Sequence, residues 1–398
     1  MRDINGPDCM HRILKQNFEG EEVERKSVSI ISFTERGMKL SEELKDRTKE
    51  SIHASLYTKW GKYPEDNHRS QSSLPLPPCL HENKYAGKEA EVTFCEESLF
   101  AWTRNRFFYK QPIIFIGACG IAVRAIAPLV RDKLQDIPVL VVDEAGRFVI
   151  PLLSGHFGGA NELAEEIAGI VGMSAVITTA TDVNQLFAVD VFARHNHLAI
   201  CNREGIKEIS AAILAKEKVT FAIDGIYEGR LPEGLTFAKP EERHVSIFLS
   251  PYEKEERTAM LYLVPRVFVI GIGCRRGKTA AEIEAEIDKY LRQARIRIEA
   301  VSGIASIDVK KDEKGLCELS EKYGWNFQTF SKEELESVPG NYKASSFVKS
   351  MVGVDNVCER AAMAACKEDA GLVLGKQAQN GVTVAIAVRK WSVSFDEA

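Results

Sequence analysis

Residues 143–161, which read DEAGRFVIPLLSGHFGGAN, constrain the fold of this chain more strongly than any other segment. The apolar run from Phe148 to Leu153 has the length of a strand and ends abruptly in polar and glycine residues. Apolar residues with helical spacing follow it, and Asn161 occupies the position expected of their N-cap. The segment therefore predicts a strand, a glycine-rich turn and a helix in immediate succession.

Two reactive side chains, Ser154 and His156, lie on this predicted turn. Its glycines, Gly155, Gly158 and Gly159, allow the backbone to approach a ligand closely, and the first N–H groups of a helix point outward. Histidine exchanges protons near neutral pH. The turn therefore predicts a site for an anion or a carbonyl oxygen. The structural alternative is a connecting turn in which the histidine only caps a carbonyl.

Polar groups also follow two neighbouring predicted strands. The strand at 112–116 runs into the glycine-rich segment 117–124, which ends in Arg124, and the strand at 175–179 ends in hydroxyls and a carboxylate, among them Thr179 and Asp182. Ligands of open α/β sheets bind at the carboxyl ends of the strands, so we expect these groups beside the turn. The alternatives are that Arg124 forms a structural ion pair and that the other groups cap the next helix.

A tight turn at 143–146 separates the predicted strands 138–142 and 147–153, so these two strands are expected to pair antiparallel. Glu144 in that turn either orients His156 or a water molecule, or it only helps to form the turn. Arg147 follows the turn and is a candidate for carboxylate binding.

Several stretches of this chain closely resemble one enzyme family. They are residues 117–128, 142–144, 148–161, 177–182, 269–277 and 381–387. The family is that of the cobalt-precorrin-5A hydrolases of anaerobic cobalamin (vitamin B12) biosynthesis, and the resemblance spans most of 95–390. The block SGHFGGAN at 154–161 is long and specific. The resemblance implies a hydrolase that opens the ring A δ-lactone and releases acetaldehyde to give cobalt-precorrin-5B.

Opening a lactone requires an activated water, stabilisation of the oxyanion and a proton for the departing alkoxide. We expect His156 to transfer the protons and the N–H groups of residues 158–161 to bind the oxyanion. Ser154 as nucleophile is the alternative to direct attack by water. The expected catalytic residues are His156, Ser154 and Glu144. The expected substrate-binding residues are Arg124, Arg147, Gly158, Gly159, Asn161, Thr179, Asp182, Arg275, Arg276 and Lys278.

The basic turn at 273–279, after a predicted strand at 267–272, resembles a phosphate-binding loop but fails its spacing. The first glycine of that loop would have to stand at Ile272, and the third glycine of a dinucleotide-binding turn would have to stand at Arg276. Both failures disfavour a nucleotide-dependent enzyme. The cations of the turn either bind substrate carboxylates or form a solvated surface. Lys376 also matches the family's last domain.

Strands alternate with helices along most of the chain, which predicts a multidomain α/β protein with largely parallel open sheets and flanking helices. We divide its 398 residues into four parts. They are a flexible tail at 1–26, an N-terminal α/β domain at 27–182 with the glycine-rich turn, a middle domain at 183–264 and a C-terminal α/β domain at 265–398. The polar segment 66–78 is expected to be a loop.

Composition narrows the possible functions. A net charge of −5 without a basic region disfavours nucleic-acid binding, and no apolar stretch is long enough for a membrane span. Nine dispersed cysteines without a paired motif, and no signal peptide, predict a cytoplasmic protein without a metal site. We expect no cofactor, because the substrate carries the cobalt and its macrocycle can accept electrons.

The expected partners are cobalt-precorrin-5A and, transiently, other enzymes of the pathway. The alternative function is a non-catalytic tetrapyrrole carrier or scaffold. Ser154 and His156 disfavour it, because carboxylate binding alone would favour arginine and lysine in the turn.

Overall fold

The computed structural model describes residues 26–61, 92–344, 353–367 and 369–396. Apart from Lys26, the predicted tail lies outside the described residues, as does the predicted loop at 66–78. The described residues up to Val183 form one compact unit, and those from Asn184 onward form a second. Among the described residues, no helix combines the length and apolar character needed to cross a membrane.

The first unit is a seven-stranded sheet with helices on both faces. Its strands are β1 (Lys26–Ser32), β2 (Ile52–Thr58), β3 (Thr93–Phe94), β4 (Ile113–Ile116), β5 (Val139–Val142), β6 (Phe148–Leu153) and β7 (Ser174–Ala175). Its helices are α1 (Glu35–Thr48), α2 (Leu99–Phe108), α3 (Cys119–Ile126), α4 (Ala160–Val171) and α5 (Ala180–Val183). The strand order is β3-β2-β1-β4-β5-β6-β7.

Burial on both faces explains why the central strands are continuous apolar runs. Strands β4 and β5 read IIFI and VLVV, and all of these residues are buried. One face packs against α1 and α4 through Leu44 and Leu163. The other face packs against α2 and α3 through Trp102 and Ala122. Nearly all pairs of neighbouring strands in this sheet are parallel.

The exception is the hairpin of β5 and β6, whose antiparallel pairing confirms the prediction from the tight turn. Val142 pairs with Val149 and Val139 pairs with Leu153, so the carboxyl end of β6 lies beside the start of β5. The glycine-rich turn after Leu153 therefore lies at the opposite edge of the sheet from the carboxyl ends of β4 and β5. Our expectation that all these strand ends share one edge is wrong.

Strand β7 is shorter than predicted. We expected a strand at 175–179, but only Ser174–Ala175 pairs with β6. The N–H group of Val176 still donates to the carbonyl of Val149 at 2.9 Å, and the chain then leaves the sheet. Residues 177–179 are thereby released from the ladder and lead into α5.

The second unit begins with a five-stranded sheet in the middle of the chain. Its elements, with one further short strand β10, are α6 (Val189–His195), β8 (Leu198–Ile200), α7 (Glu204–Leu214), β9 (Val219–Ile223), β10 (Ile226–Glu228), β11 (Leu235–Phe237), β12 (His244–Leu249) and β13 (Thr258–Pro265). The strand order is β11-β9-β12-β13-β8. Helix α6 begins at Val189, because Ala188 before it has an extended backbone.

A second five-stranded sheet follows in the order β16-β15-β14-β18-β17. Its elements are β14 (Phe268–Cys274), α8 (Ala280–Gln293), β15 (Val301–Ile307), α9 (Lys314–Tyr323), β16 (Asn326–Phe330), α10 (Lys332–Ser337), α11 (Val357–Cys366), β17 (Gly371–Gln379) and β18 (Val382–Val388). Strands β14 to β16 are parallel, and β17 and β18 form an antiparallel hairpin on the other side of β14. The predicted α/β class with largely parallel sheets is confirmed.

The last strand, β19 (Ser392–Ser394), returns to the middle region and pairs with β10. Phe395 behind it is buried, and its ring stacks on that of Phe192 with 5.0 Å between centroids. Asn196 donates to the carbonyl of Ser394 at 3.0 Å. The segment 265–398 therefore contributes its final residues to the core of the segment before it.

Candidate active site

The glycine-rich turn after β6 is too tightly packed for other residues at two positions. A Cβ atom at Gly158 would lie 2.3 Å from the Cβ of Ser154, and one at Gly155 would lie 2.7 Å from Oδ1 of Asn161. Gly159 has a φ of 83°, which favours glycine, and even Ser154 has a φ of 58°. The glycines are therefore required by the shape of the turn itself.

Asn161 does not cap the following helix, contrary to our expectation. Gly159 is the N-cap residue of α4, and Asn161 lies in its first turn. The side chain of Asn161 is buried and donates to Thr179 Oγ1 and to Asp182 Oδ2, both at 2.8 Å. Asn161 therefore ties the start of α4 to the segment that follows β7.

His156 and Asp182 form the central contact of the site. His156 Nε2 lies 2.6 Å from Asp182 Oδ2 and 3.0 Å from Thr181 Oγ1. Because an ionised carboxylate only accepts hydrogen bonds, Nε2 carries the hydrogen in the contact with Asp182. The two side chains are 20% and 32% exposed, so the pair is sheltered yet accessible to a ligand.

The pair forms because β6 and β7 are parallel neighbours. The carboxyl ends of parallel strands lie at the same edge of a sheet, so the turn after β6 meets the segment after β7 there. The Asp182 carboxylate also accepts a hydrogen bond from the Thr179 hydroxyl. With Asn161, three side chains thus hold this carboxylate in one orientation.

Ser154 lies close in sequence to His156 but has a different hydrogen-bond partner. Its hydroxyl donates to the backbone carbonyl of Asp136 at 2.7 Å. Asp136 precedes β5, which matches the antiparallel pairing of β5 with β6. This hydrogen bond fixes the serine side chain as a connection between the turn and the neighbouring loop.

The N–H groups at the start of α4 are largely used within the turn. Those of residues 159–161 donate to the carbonyls of residues 154–156 at 2.9 to 3.0 Å. Among the described residues, the N–H group of Gly158 has no such acceptor. Of the four N–H groups that we expected to bind an oxyanion, Gly158 alone is therefore left for a ligand.

Glu144 is not the partner of His156, contrary to one of our two hypotheses. It accepts a hydrogen bond from Thr34 Oγ1 at 2.8 Å at the far end of β6. The six residues of β6 separate it from the glycine-rich turn by about 20 Å, at about 3.3 Å per residue. The other hypothesis, that Glu144 only helps to form the tight turn at 143–146, agrees with this position.

Asp143 stabilises the tight turn at 143–146. Its carboxylate accepts hydrogen bonds from the N–H groups of Arg147 and Phe148, at 2.7 Å each. Partial burial alone would raise the pKa of Asp143, but these hydrogen bonds outweigh it and hold the pKa below its ordinary value. Arg147 lies 3.3 Å from Asp143 and is 71% exposed. Arg147 therefore lies at the same edge of the sheet as Glu144, away from His156.

Arg124 also lies at the edge of the sheet that carries Glu144, opposite the glycine-rich turn. It follows β4 on helix α3 and donates to the carbonyl of Gly120 at 3.1 Å in the same helix. This contact is a hydrogen bond within the helix. It is not the structural ion pair that we considered for Arg124. Neither Arg124 nor Arg147 is thus brought to the histidine by the fold of the first unit.

The basic turn of the second unit is partly neutralised by its own carboxylates. Lys278 pairs with Glu282 at 2.8 Å, and Glu282 also completes a capping box with Thr279 at the start of α8. The Gly277 N–H group donates to Glu313 at 2.7 Å. This arrangement removes the N–H donors that a phosphate would use and leaves Lys278 engaged.

Arg275 and Arg276 differ from Lys278 in this respect. Both are exposed, and in the described ranges neither forms an ion pair. The N–H group of Arg275 donates to the carbonyl of Gly381 in the turn between β17 and β18, at 2.9 Å. The backbone of this turn is therefore fixed while its two guanidinium groups are available.

Two contributors to the site were absent from our expected residues. Thr181 contacts the imidazole, and the carbonyl of Asp136 holds Ser154. Thr181 stands one residue before Asp182, in a run of hydroxyls that the sequence does display. A backbone carbonyl carries no sequence signal, so Asp136 could not have been found in this way.

The fold and the site define a multidomain α/β protein with a histidine–carboxylate pair suited to acid–base chemistry. Three family models match it, namely Cobalamin synthesis G N-terminal at residues 101–182, Cobalamin biosynthesis central region at 187–265 and Cobalamin synthesis G C-terminus at 268–387.

Curated relatives match along most of their length. The cobalt-precorrin-5A hydrolase of Priestia megaterium is 35% identical over 297 residues, which cover 70% of this chain and 79% of the relative. That of Salmonella typhimurium is 34% identical over 297 residues, covering 72% and 84%. A crystal structure of a cobalamin biosynthesis protein G homolog from Sulfolobus solfataricus aligns with 92% of this chain and 97% of its own, with 23% identity and a TM-score of 0.37. This chain belongs to the cobalamin synthesis G family.

Proposed function

We propose that this protein is a cobalt-precorrin-5A hydrolase, which opens the ring A δ-lactone of its substrate and releases acetaldehyde to give cobalt-precorrin-5B. The relatives described above are named cobalt-precorrin-5A hydrolases. The observation that carries the proposal is the 2.6 Å contact between His156, on the glycine-rich turn, and Asp182 after β7. A histidine oriented by a carboxylate is a common general acid and base.

In the first step, water attacks the lactone carbonyl and His156 takes up the proton that the water loses. The Gly158 N–H group is the donor that we assign to the oxyanion, since those of residues 159–161 are engaged in the turn. Collapse of the tetrahedral intermediate breaks the bond between the acyl carbon and the ring oxygen. The imidazolium then returns its proton to the alkoxide, and Asp182 stabilises the imidazolium in between.

Direct attack by water is favoured over a covalent intermediate on Ser154. The Ser154 hydroxyl donates to the carbonyl of Asp136, so its hydrogen does not point to the base that would have to remove it. We therefore assign Ser154 to the shape of the turn.

The second step breaks a carbon–carbon bond to release acetaldehyde. The newly formed hydroxyl loses its proton to His156, its oxygen becomes the aldehyde oxygen, and the electron pair of the broken bond passes to the macrocycle. The conjugated macrocycle of the substrate can accept this pair, so we expect activity without an added cofactor.

The carboxylate side chains of the substrate require cations. We assign this role to Arg275 and Arg276, because guanidinium groups bind carboxylates through two parallel hydrogen bonds and these two are exposed, with no ion pair to any described residue. Lys278, which we had grouped with them, is engaged by Glu282 and is left out of this assignment.

The test is to incubate the purified protein with cobalt-precorrin-5A and to measure acetaldehyde together with the mass of the tetrapyrrole product. We expect one acetaldehyde per substrate consumed. A carrier protein would bind the macrocycle and leave its mass unchanged. Binding without acetaldehyde release would therefore reject the hydrolase and favour the carrier.

A further inference from the structure

Glu359 in the second unit is a buried carboxylate whose partners are mostly backbone groups. It is 3% exposed and accepts the N–H groups of Lys376 at 2.5 Å and of Lys343 at 2.9 Å. The amide of Asn356, which is fully buried, donates to the same carboxylate. A buried carboxylate is costly unless it is well hydrogen-bonded, and these three donors fix the backbone around Glu359.

That geometry is a bulge in the edge strand β17. Leu374 pairs with Ile386 and Gln377 pairs with Val384, so two residues of β17 stand opposite one residue of β18. Lys376 is one of the two, and its N–H group bonds to Glu359. Gly375 is the other, and a Cβ atom there would lie 3.2 Å from Glu359 Oε1. Bulges of this kind redirect a side chain and often occur beside functional sites.

The redirected side chain is a cation without an ion pair among the described residues. Lys278, Lys310 and Lys376 are all partly buried. Lys278 and Lys310 form ion pairs with Glu282 and Glu313 at 2.8 and 2.6 Å, whereas Lys376 forms no ion pair with a described residue. Both oxygens of Glu359 are already occupied by N–H donors. The ammonium group of Lys376 is therefore available for an anion.

Lys376 lies near the part of the sheet that carries Arg275. Gly375 and Lys376 stand opposite Ala385 of β18, and Ala385 pairs with Gly271 of β14, four residues before Arg275. Thr383 pairs with Gly273, two residues before Arg275. From Lys376 to the end of β17 is about 10 Å, at about 3.3 Å per residue.

We propose that Lys376 binds a carboxylate side chain of the macrocycle, on the same sheet that carries Arg275, and that Glu359 positions it by holding the bulge. The inference rests on the proposed function, because the macrocycle is the source of the carboxylate. It adds a third cation to the two arginines of the basic turn, and it assigns Glu359 a positioning role rather than a catalytic one.

The first experiment measures the Kd for cobalt-precorrin-5A by absorbance titration. Lys376→Ala keeps the backbone N–H group that bonds to Glu359, so the fold should survive. We expect its Kd to rise about tenfold or more and the rise to shrink at high salt. Lys376→Arg should stay within about threefold of wild type, since it keeps the charge. Lys289→Ala is the matched control, because Lys289 contacts Gln379 of the same hairpin.

A Kd of Lys376→Ala equal to that of wild type would overturn this inference and leave the hydrolase proposal standing. Failure of the wild-type protein to bind or convert the substrate would overturn both. The same titrations therefore separate the two proposals.

A double-mutant cycle tests the positioning role of Glu359. Glu359→Gln should raise the Kd in the wild-type background and leave it unchanged in the Lys376→Ala background. Equal increases in both backgrounds would overturn the role assigned to Glu359. If Glu359→Gln does not fold, Gly375→Ala takes its place in the same cycle, since the added methyl group presses on the carboxylate.

Discussion

His156 and Asp182 are 26 residues apart in the sequence, and their side chains meet at 2.6 Å between Nε2 and Oδ2. The contact depends on the parallel pairing of β6 with β7, which brings the segments after both strands to one edge of the sheet. It also depends on Asn161, which bonds to the same carboxylate from the first turn of α4. The histidine is thus oriented by the segment after β7, which Asn161 ties to the start of α4.

Replacing Asp182 by asparagine should lower kcat on the order of 10²-fold or more, because the amide keeps the size of the side chain but cannot stabilise the imidazolium. The Kd for the substrate should change little. Acetaldehyde release under saturating substrate is the measurement, with thermal unfolding as a check on the fold. A kcat within about twofold of wild type would exclude Asp182 from the mechanism.

Ser154→Ala separates the two modes of attack on the lactone. The variant loses a hydrogen bond to Asp136, which typically contributes about 1 kcal/mol to stability, and kcat should fall less than about tenfold. A nucleophilic serine would instead make its removal nearly abolish turnover, by about 10⁴-fold or more. Single-turnover acetaldehyde release distinguishes these results, and loss of activity on the second scale would contradict attack by water.

The strand, glycine turn and helix of residues 143–161 could be predicted from the sequence because each depends on local patterns. The place of Glu144 could not be predicted in the same way. The antiparallel hairpin was recognised, but its consequence, that Glu144 and His156 lie at opposite edges, follows only from the pairing of Val139 with Leu153. Which carboxylate meets the histidine is likewise decided by the pairing of β6 with β7.

The same reasoning applies to the donors and cations of the expected sites. The sequence indicates candidate N–H donors at residues 158–161 and candidate cations at Arg275, Arg276 and Lys278. It does not indicate which of these groups form hydrogen bonds or ion pairs within the protein. Backbone carbonyls of the turn take three of the N–H groups, and Glu282 takes Lys278. These competing contacts form only in the folded chain. A prediction from residue types alone therefore overestimates the number of groups that are left for a ligand.

The cations of the basic turn should therefore differ in their effect on substrate binding. Arg275→Ala and Arg276→Ala should each raise the Kd for cobalt-precorrin-5A about tenfold or more, since a charge-assisted hydrogen bond contributes about 1.5–3 kcal/mol. Lys278→Ala should change the Kd by less than about threefold, because Lys278 already pairs with Glu282. Titrations at low and high salt measure this, and equal effects of all three variants would contradict the distinction.

Glu313 should make the stability of the second unit depend on pH. Partial burial alone would raise its pKa, but hydrogen bonds from Lys310 and the Gly277 N–H group outweigh it and hold the pKa below 4.5. A carboxyl whose pKa is depressed on folding adds stability above its unfolded pKa and loses it as the pH falls further. Thermal unfolding should show Glu313→Gln less stable than wild type at pH 7, with a gap that narrows below about pH 4. A gap that is constant with pH would contradict the ion pair.

The measurement that tests the account most directly compares His156→Ala with Glu144→Ala for acetaldehyde release from cobalt-precorrin-5A. The two residues lie at opposite edges of one sheet, about 20 Å apart, so the comparison locates the chemistry. We predict a loss of at least about 10²-fold for His156→Ala, with substrate binding largely retained, and near wild-type release for Glu144→Ala. Near wild-type release by His156→Ala, or a comparable loss in Glu144→Ala, would contradict the assignment of the site to the glycine-rich turn after β6.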